Sequence, residues 1–284
     1  MIATGSIEPN AGGALAILAA LLESRTGQQI AANRAWRVET TLKPLMRDKN
    51  VASLDELVFR ILNGREPDLA ERAVDALLNQ ESSFFRDAAV FEMIGDAVDG
   101  LDALALGRRV RIWSAGCANG QEPLSLAMHF VERQQQDGRP IPEIIATDVS
   151  EAALARARTG RYSQFEIQRG LSVRRMMRWF DQDGEDWVAR AEPMRALWFR
   201  RQNLVGDPPP LGRFDVVLCR NVLLYLSAQH RQHVFRQMAR VIRPGGLLVL
   251  GAGETVIGQT DAFVPSGRFK GFYEATGRGS AIAA

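Results

Sequence analysis

The chain has 284 residues, 46% of them hydrophobic and 24% charged, with a formal net charge of +2. That balance argues against a disordered chain and fits one or two soluble globular domains with a sizeable core. The net charge alone says little, but the basic residues, mostly Arg, gather between Arg34 and Lys49 and between Arg156 and Arg201. A patch of that kind, not the average, would meet a partner.

In chain order, the apolar stretch Ala11 to Leu22 is too short to span a bilayer and is followed at once by Glu23 and Arg25. It follows Glu8 and has no basic lead-in, so it does not read as a secretion signal either. A helix is expected over Ala14 to Ser24, and Gly27 breaks the chain. A helical pattern resumes from Ala31 to Arg47, which Pro44 should kink. Ser53-Leu54-Asp55-Glu56 matches a capping box for a helix running to Leu62. Pro67 and Asp68 open a further helix with Leu69, Ala73, Ala76, Leu77 and Leu78 on its inner face. Residues up to about Gly100 therefore read as an all-helical region, a bundle of four or five short helices, and the domain division is placed at 1–100 and 101–284.

From Val110 the pattern changes. Continuous apolar runs at Val110 to Ser114, Ile144 to Thr147, Phe214 to Cys219 and Leu247 to Leu250 read as strands buried on both faces. Helices are expected at Glu122 to Gln135, Ser150 to Arg158 and Ala228 to Ile242, the last stopped by Arg243-Pro244-Gly245-Gly246. Strand, helix, strand in succession predicts a doubly wound, mostly parallel α/β sheet. The rhythm is interrupted between Arg161 and Gln202 by a helix at Leu171 to Phe180 and strand-like pieces at Asp186 to Ala189 and Ala196 to Arg201. This stretch reads as a small antiparallel insertion at about 161–202.

The first strand opens into Gly116-Cys117-Ala118-Asn119-Gly120-Gln121-Glu122-Pro123, a glycine loop leading into a helix that Pro123 can start. Glycines there permit positive φ and close approach of a ligand, and the helix start offers free N–H groups. The spacing is G-x-x-x-G and not the G-x-G-x-x-G that seats a pyrophosphate, which disfavours a dehydrogenase and points to a ligand without phosphates, S-adenosylmethionine being the common one. Ligands of such folds sit beyond the carboxyl ends of the strands, which selects Gly116, Gly120 and Glu122, then Asp148, then Arg220, Asn221 and Tyr225. Asp148 is placed to accept both hydroxyls of a ribose; its alternative is a helix cap, a task Ser150 can also perform. Ser82-Ser83-Phe84-Phe85-Arg86-Asp87 reads alone as a helix start with an apolar pair, and Arg86 is its residue of interest. Cys117 and Cys219 make no disulfide framework and read as small buried apolar residues of a reduced, cytoplasmic protein. His230 and His233 have no third ligand nearby, so no metal is expected.

Glu81 to Asp87, Ser114 to Pro123, Ala146-Thr147-Asp148, Gln202-Asn203-Leu204 and Cys219-Arg220-Asn221-Val222-Leu223-Leu224-Tyr225 together closely resemble the CheR family, the chemotaxis receptor glutamate methyltransferases. The resemblance covers almost the whole chain. It implies transfer of a methyl group from S-adenosylmethionine, leaving S-adenosylhomocysteine, to glutamates of chemoreceptor cytoplasmic helices. It also implies that Ser82, Arg86, Glu122, Asp148, Asn203, Leu204, Asn221 and Val222 line the cofactor site, with Gly116 in its loop and Arg86 and Tyr225 nearest the incoming carboxylate. The receptor would be held by the helical region, where Arg34, Arg37, Lys43 and Arg47 could present a basic face, and by the insertion. A cytoplasmic monomer that neither binds nucleic acid nor enters the membrane is expected. A methyltransferase for a small molecule and a non-catalytic cofactor sensor are the competing readings. The chain departs from the family's usual pattern at Ser82, often Thr, and at Thr41, often Arg.

Overall fold

A computed structural model describes residues 11–30, 36–102 and 107–276. Their contacts fall into two units, one running to Asn79 and including Tyr225–Ser227, the other made of Gln80–Leu224 and the chain from Ala228 onward.

The smaller unit is built on helices α1 (Ala11–Thr26), α2 (Arg37–Asp48), α3 (Leu54–Asn63) and α4 (Leu69–Leu77). Each turns an apolar stripe inward, and Leu18, Leu42, Leu57 and Leu69 are among the side chains that close a common core. Pro44 lies on the exposed face of α2, and the helix continues through it to Asp48. At α3 the Ser53 hydroxyl accepts the Glu56 N–H, as the sequence pattern predicts. The Glu56 carboxylate, however, takes the N–H of Ala52, one residue before the cap.

The expected boundary near residue 100 is corrected by helix α5 (Ala88–Asp102), which belongs to the larger unit. Its Phe91, Ile94, Ala97, Val98 and Leu101 bury in the core shared by Ile112, Leu126 and Val216. The segment is helical, but it packs on the larger unit's sheet and on the helix carrying Leu126 and Phe130, and helical periodicity carries no information about which surface an apolar stripe will meet.

The larger unit is a seven-stranded sheet, among the described residues, in the order β6-β2-β1-β7-β8-β10-β9. β1 (Arg111–Ala115), β2 (Glu143–Asp148), β6 (Leu197–Arg201), β7 (Phe214–Cys219) and β8 (Ile242–Leu250) are parallel. β9 (Phe263–Pro265) and β10 (Tyr273–Ala275) close one edge antiparallel. Helices α6 (Gln121–Asp137), α7 (Glu151–Thr159) and α11 (Ala228–Val241) link the parallel strands. This is the doubly wound architecture expected, with all six residues of β7 buried, Asp215 among five apolar side chains. The Pro244-Gly245-Gly246 turn lies within β8, where the register with β7 shifts between Phe214 and Val216. A Cβ on Gly246 would stand 2.8 Å from the Asp215 carbonyl oxygen, so that bulge needs glycine.

The insertion is smaller than the sequence suggests. β3 (Arg161–Ser163), β4 (Phe180–Asp183) and β5 (Asp186–Ala189) form a separate antiparallel sheet in the order β3-β5-β4, with α8 (Gln164–Gln168) and α9 (Val173–Trp179) between β3 and β4. After the short helix α10 (Ala191–Met194), the second strand-like piece is not part of it. β6 pairs parallel to β2, Leu197 opposite Ile144, as the edge strand of the main sheet. Its buried Leu197 joins the main core, and a short strand ending in two exposed arginines, Arg200 and Arg201, reads the same from sequence in either sheet.

Candidate active site at the carboxyl ends of the strands

The loop after β1 turns sharply because Gly116, Ala118 and Gly120 all take left-handed backbone angles, with φ of 78°, 48° and 88°. The Thr147 carbonyl at the end of β2 accepts the N–H groups of both Gly116 (2.8 Å) and Cys117 (2.9 Å). A Cβ on Gly116 would sit 2.5 Å from Val222 Cγ2, and one on Gly120 2.7 Å from Ala157 Cβ, so both glycines are required by close packing as well as by φ. The buried Tyr162 hydroxyl donates to the Asn119 carbonyl at 2.9 Å and pins the outside of the loop.

Asp148 ends β2 and is nearly buried. Its Oδ2 accepts the Ala118 N–H at 2.8 Å and its Oδ1 the Ser150 N–H at 2.9 Å. The cap of α7 is Ser150, whose hydroxyl accepts the Ala153 N–H, so Asp148 is not spent as a helix cap. Gln202 donates its N–H to the Asp148 carbonyl at 2.9 Å, which brings the Asn203–Leu204 turn to the same strand end. That turn is fixed locally, with the Asn203 N–H on Asp207 and the Asn203 Oδ1 accepting from Val205.

Arg220, at the end of β7, links three of the motifs. Its buried guanidinium donates to the Arg86 carbonyl (2.9 Å) and the Asp87 carboxylate (2.6 Å), and pairs with Glu122 at 3.3 Å. The other Glu122 oxygen accepts the Ser114 hydroxyl at 2.8 Å. Arg86 therefore sits in a turn held from below, flanked by Phe85 and Asp87 at φ of 46° and 60°, with the Phe85 N–H on Ser125 Oγ. Ser82 and Ser83 cap no helix, and Phe84 and Phe85 are buried. The Arg86 guanidinium has no hydrogen bond or ion pair among the described residues, and neither has the Ser82 hydroxyl.

Asn221 follows at φ 58°, its Oδ1 buried and without a partner among the described residues. Burial pushes the thiols of Cys117 and Cys219 well above their ordinary range, with Asp148 and Glu122 adding to the first and Glu254 to the second. Both are therefore neutral and unsuited to nucleophilic attack. No group of three or more His, Cys, Asp or Glu side chains could hold a metal among the described residues. Nor is any helix there long and apolar enough to cross a membrane.

A family model described as the CheR methyltransferase, SAM binding domain, matches residues 80–270, starting where the larger unit starts. The chain belongs to the CheR methyltransferase family. It is 37% identical over 246 residues to the chemotaxis protein methyltransferase of Vibrio parahaemolyticus, covering 85% of this chain and 89% of that one. It is 37% identical over 240 residues to chemotaxis protein methyltransferase 1 of Pseudomonas aeruginosa, covering 83% and 87%. Among solved structures, the glycopeptide N-methyltransferase MtfA with S-adenosylhomocysteine gives a TM-score of 0.33 at 14% identity over 54% of this chain and 47% of that chain.

The cofactor is S-adenosylmethionine, and the site's chemistry suits it. The molecule has ribose hydroxyls for a carboxylate, amino groups for an unpartnered amide oxygen, and a carboxylate for an open guanidinium, and the strand ends with the Phe85–Asp87 turn offer one of each in Asp148, Asn221 and Arg86. Tyr225 belongs to the smaller unit, where its hydroxyl is paired with the Asn79 amide and its carbonyl accepts the Gln29 N–H at 2.8 Å. Sequence marks Arg220 by its place after a strand and by the motif around it, and carries no signal of its burial or its three-way contact.

Proposed function

We propose that this chain transfers a methyl group from S-adenosylmethionine to glutamate side chains of chemoreceptor cytoplasmic helices, forming γ-methyl esters. The observation that carries the reading is its 37% identity to chemotaxis protein methyltransferases along more than four fifths of its length. The chemistry is consistent with a site that lacks an activated base. A glutamate, with a reference pKa of about 4.3, is already ionised at neutral pH and is itself the nucleophile. When bound, the cofactor supplies a methyl group on a sulfonium sulfur; a carboxylate oxygen forms the new bond to that carbon as the carbon–sulfur bond breaks, and no proton moves.

In this reading Asp148 holds the ribose and Asn221 an amino group, while Ser82, Glu122, Asn203, Leu204 and Val222 complete the lining around the Gly116 loop. The family resemblance assigns Arg86 and Tyr225 to the substrate carboxylate. Charge is lost along the reaction, so a tight Arg–carboxylate pair would favour the reactants over the transition state. Arg86 accordingly orients a carboxylate, of the substrate or of the cofactor's methionine end. On α2, Arg37, Lys43 and Arg47 are exposed opposite the buried Val38, Leu42 and Met46, and would steer a Glu-rich receptor helix. Arg34 of the same basic cluster lies outside the described residues.

The test is transfer of labelled methyl to an isolated receptor cytoplasmic fragment. The reading expects base-labile label that disappears when the receptor's acceptor glutamates are replaced, and receptor binding that weakens with salt. Arg86→Ala should lower the transfer rate by about tenfold or more, through lost positioning. Base-stable label, or label only on small molecules, would overturn it.

A further inference from the structure

Past the end of β8 the chain folds back, with the Glu254 N–H on the Gly251 carbonyl at 2.9 Å. The Glu254 carboxylate then accepts three backbone N–H groups. Oε2 takes those of Asn221 (2.7 Å) and Gly251 (2.9 Å), and Oε1 takes that of Leu224 (3.2 Å). Among the described residues no Lys, Arg or His pairs with it. A carboxylate bonded to main-chain donors of two segments fixes those segments against each other, and charge-assisted bonds of this kind are the stronger sort. The fit leaves no slack, because a Cβ on Gly251 would stand 2.9 Å from Asn221 N and equally from its Nδ2. The result is a single orientation for Asn221, a left-handed residue at φ 58° whose carboxamide oxygen is buried and unpartnered.

We propose that Glu254 is a positioning residue for the cofactor. By clamping the backbone from Asn221 to Leu224 it presents the Asn221 carboxamide oxygen to an N–H donor of S-adenosylmethionine, without touching the cofactor itself. This rests on the reading of Asn221 as a cofactor residue. A brace that served stability alone would leave cofactor affinity unchanged in the folded protein, and it would not act through Asn221.

The experiment is calorimetric titration of the full chain with S-adenosylhomocysteine, for the parent, Glu254→Gln, Gly251→Ala, Asn221→Ala and the two double variants with Asn221→Ala. The glutamine side chain of Glu254→Gln would keep the size but set an NH2 group, which cannot accept, against a backbone donor. Glu254→Gln and Asn221→Ala should each weaken binding about tenfold. The double variant should be no more than about threefold weaker than either single one, since both remove one interaction. The Asn221 amide proton should move upfield by NMR in Glu254→Gln as its bond to a charged oxygen is lost.

Binding within about twofold of the parent for Glu254→Gln, when Asn221→Ala weakens it about tenfold, would overturn the role of Glu254 alone. Unchanged binding in Asn221→Ala would show instead that the placement of Asn221 in the cofactor site is wrong, and the proposal falls with it. Should Glu254→Gln not fold, Gly251→Ala replaces it: it keeps the negative charge but drives a methyl group against both the Asn221 amide and Glu254 Oε2, each 2.9 Å from the added carbon. It should weaken binding in the same non-additive way, and unchanged affinity there is the overturning result.

Discussion

The two ends of the parallel sheet bury carboxylates in different company. At the amino ends, Asp215 in β7 is surrounded by cations: Arg108 reaches both its oxygens (2.8 and 2.6 Å), Arg243 approaches at 3.6 Å, and the Arg111 N–H adds a bond of 2.9 Å. At the carboxyl ends, Asp148 accepts the N–H groups of Ala118 and Ser150, and Glu254 those of Asn221, Gly251 and Leu224. An ionised carboxylate has about four lone-pair sites. Asp215 spends its oxygens on guanidinium groups, whereas Asp148 is oriented by one main-chain N–H on each oxygen. A carboxylate is a strut at the amino ends; at the carboxyl ends, in the proposed reading, Asp148 docks the ribose and Glu254 braces the Asn221 backbone.

The sharpest way to break this contrast is Asp215→Asn. It leaves Arg108 and Arg243 facing a neutral amide in a buried place, and should cost about 3 kcal/mol in urea denaturation, the low end for a broken buried pair because Arg108 is 38% exposed. Affinity for S-adenosylhomocysteine should stay unchanged; a parallel loss of affinity would show that the two ends are not independent. Asp148→Asn should do the reverse, weakening the cofactor about tenfold or more with a smaller change in stability. Equal effects on both quantities would make Asp148 a strut as well.

A third and smaller effect lies between the ends, where His129 of α6 is buried 3.7 Å from Glu92 of α5. Burial is the main reason its pKa lies below 6.5, with Arg133 and Arg175 lowering it further and Glu92 and Glu132 opposing. An unfolded chain therefore binds a proton below pH 6.5 that the folded imidazole resists, so stability is full above that pH and declines as pH falls beneath it. His129→Gln should flatten the decline in thermal melts between pH 7 and pH 5, by about 1 kcal/mol or less at the acid end. An unchanged slope would place the titrating group elsewhere.

Much of this molecule was legible from residues alone. The strands β1, β2, β7 and β8 show as apolar runs because both their faces are covered, and Gly116, Gly120 and Asp148 follow from the rule that ligands sit at strand ends. Other features were not legible, each for a physical reason. The five-residue edge strand β6 carries no mark of which sheet it will join. The stripe on α5 is helical but mute about its partner. Glu254 lies three residues beyond the Gly251 it bonds, in a loop with no motif, and only the fold brings it to Asn221. The family resemblance located the motif residues but left the buried contacts of Arg220 to the structure.

The antiparallel insertion is tied at its neck, where the Ala189 N–H bonds the Gly160 carbonyl at 2.9 Å. Its inner aromatics, Tyr162 and Phe180, stack edge-on against Phe84, while β4 forms a free outer rim ending in polar residues. Departure and return meet at one point, so the exposed residues Asp181 to Asp183 of that rim can vary with little effect on the sheet from which the insertion hangs, whereas Phe180 at the start of β4 cannot.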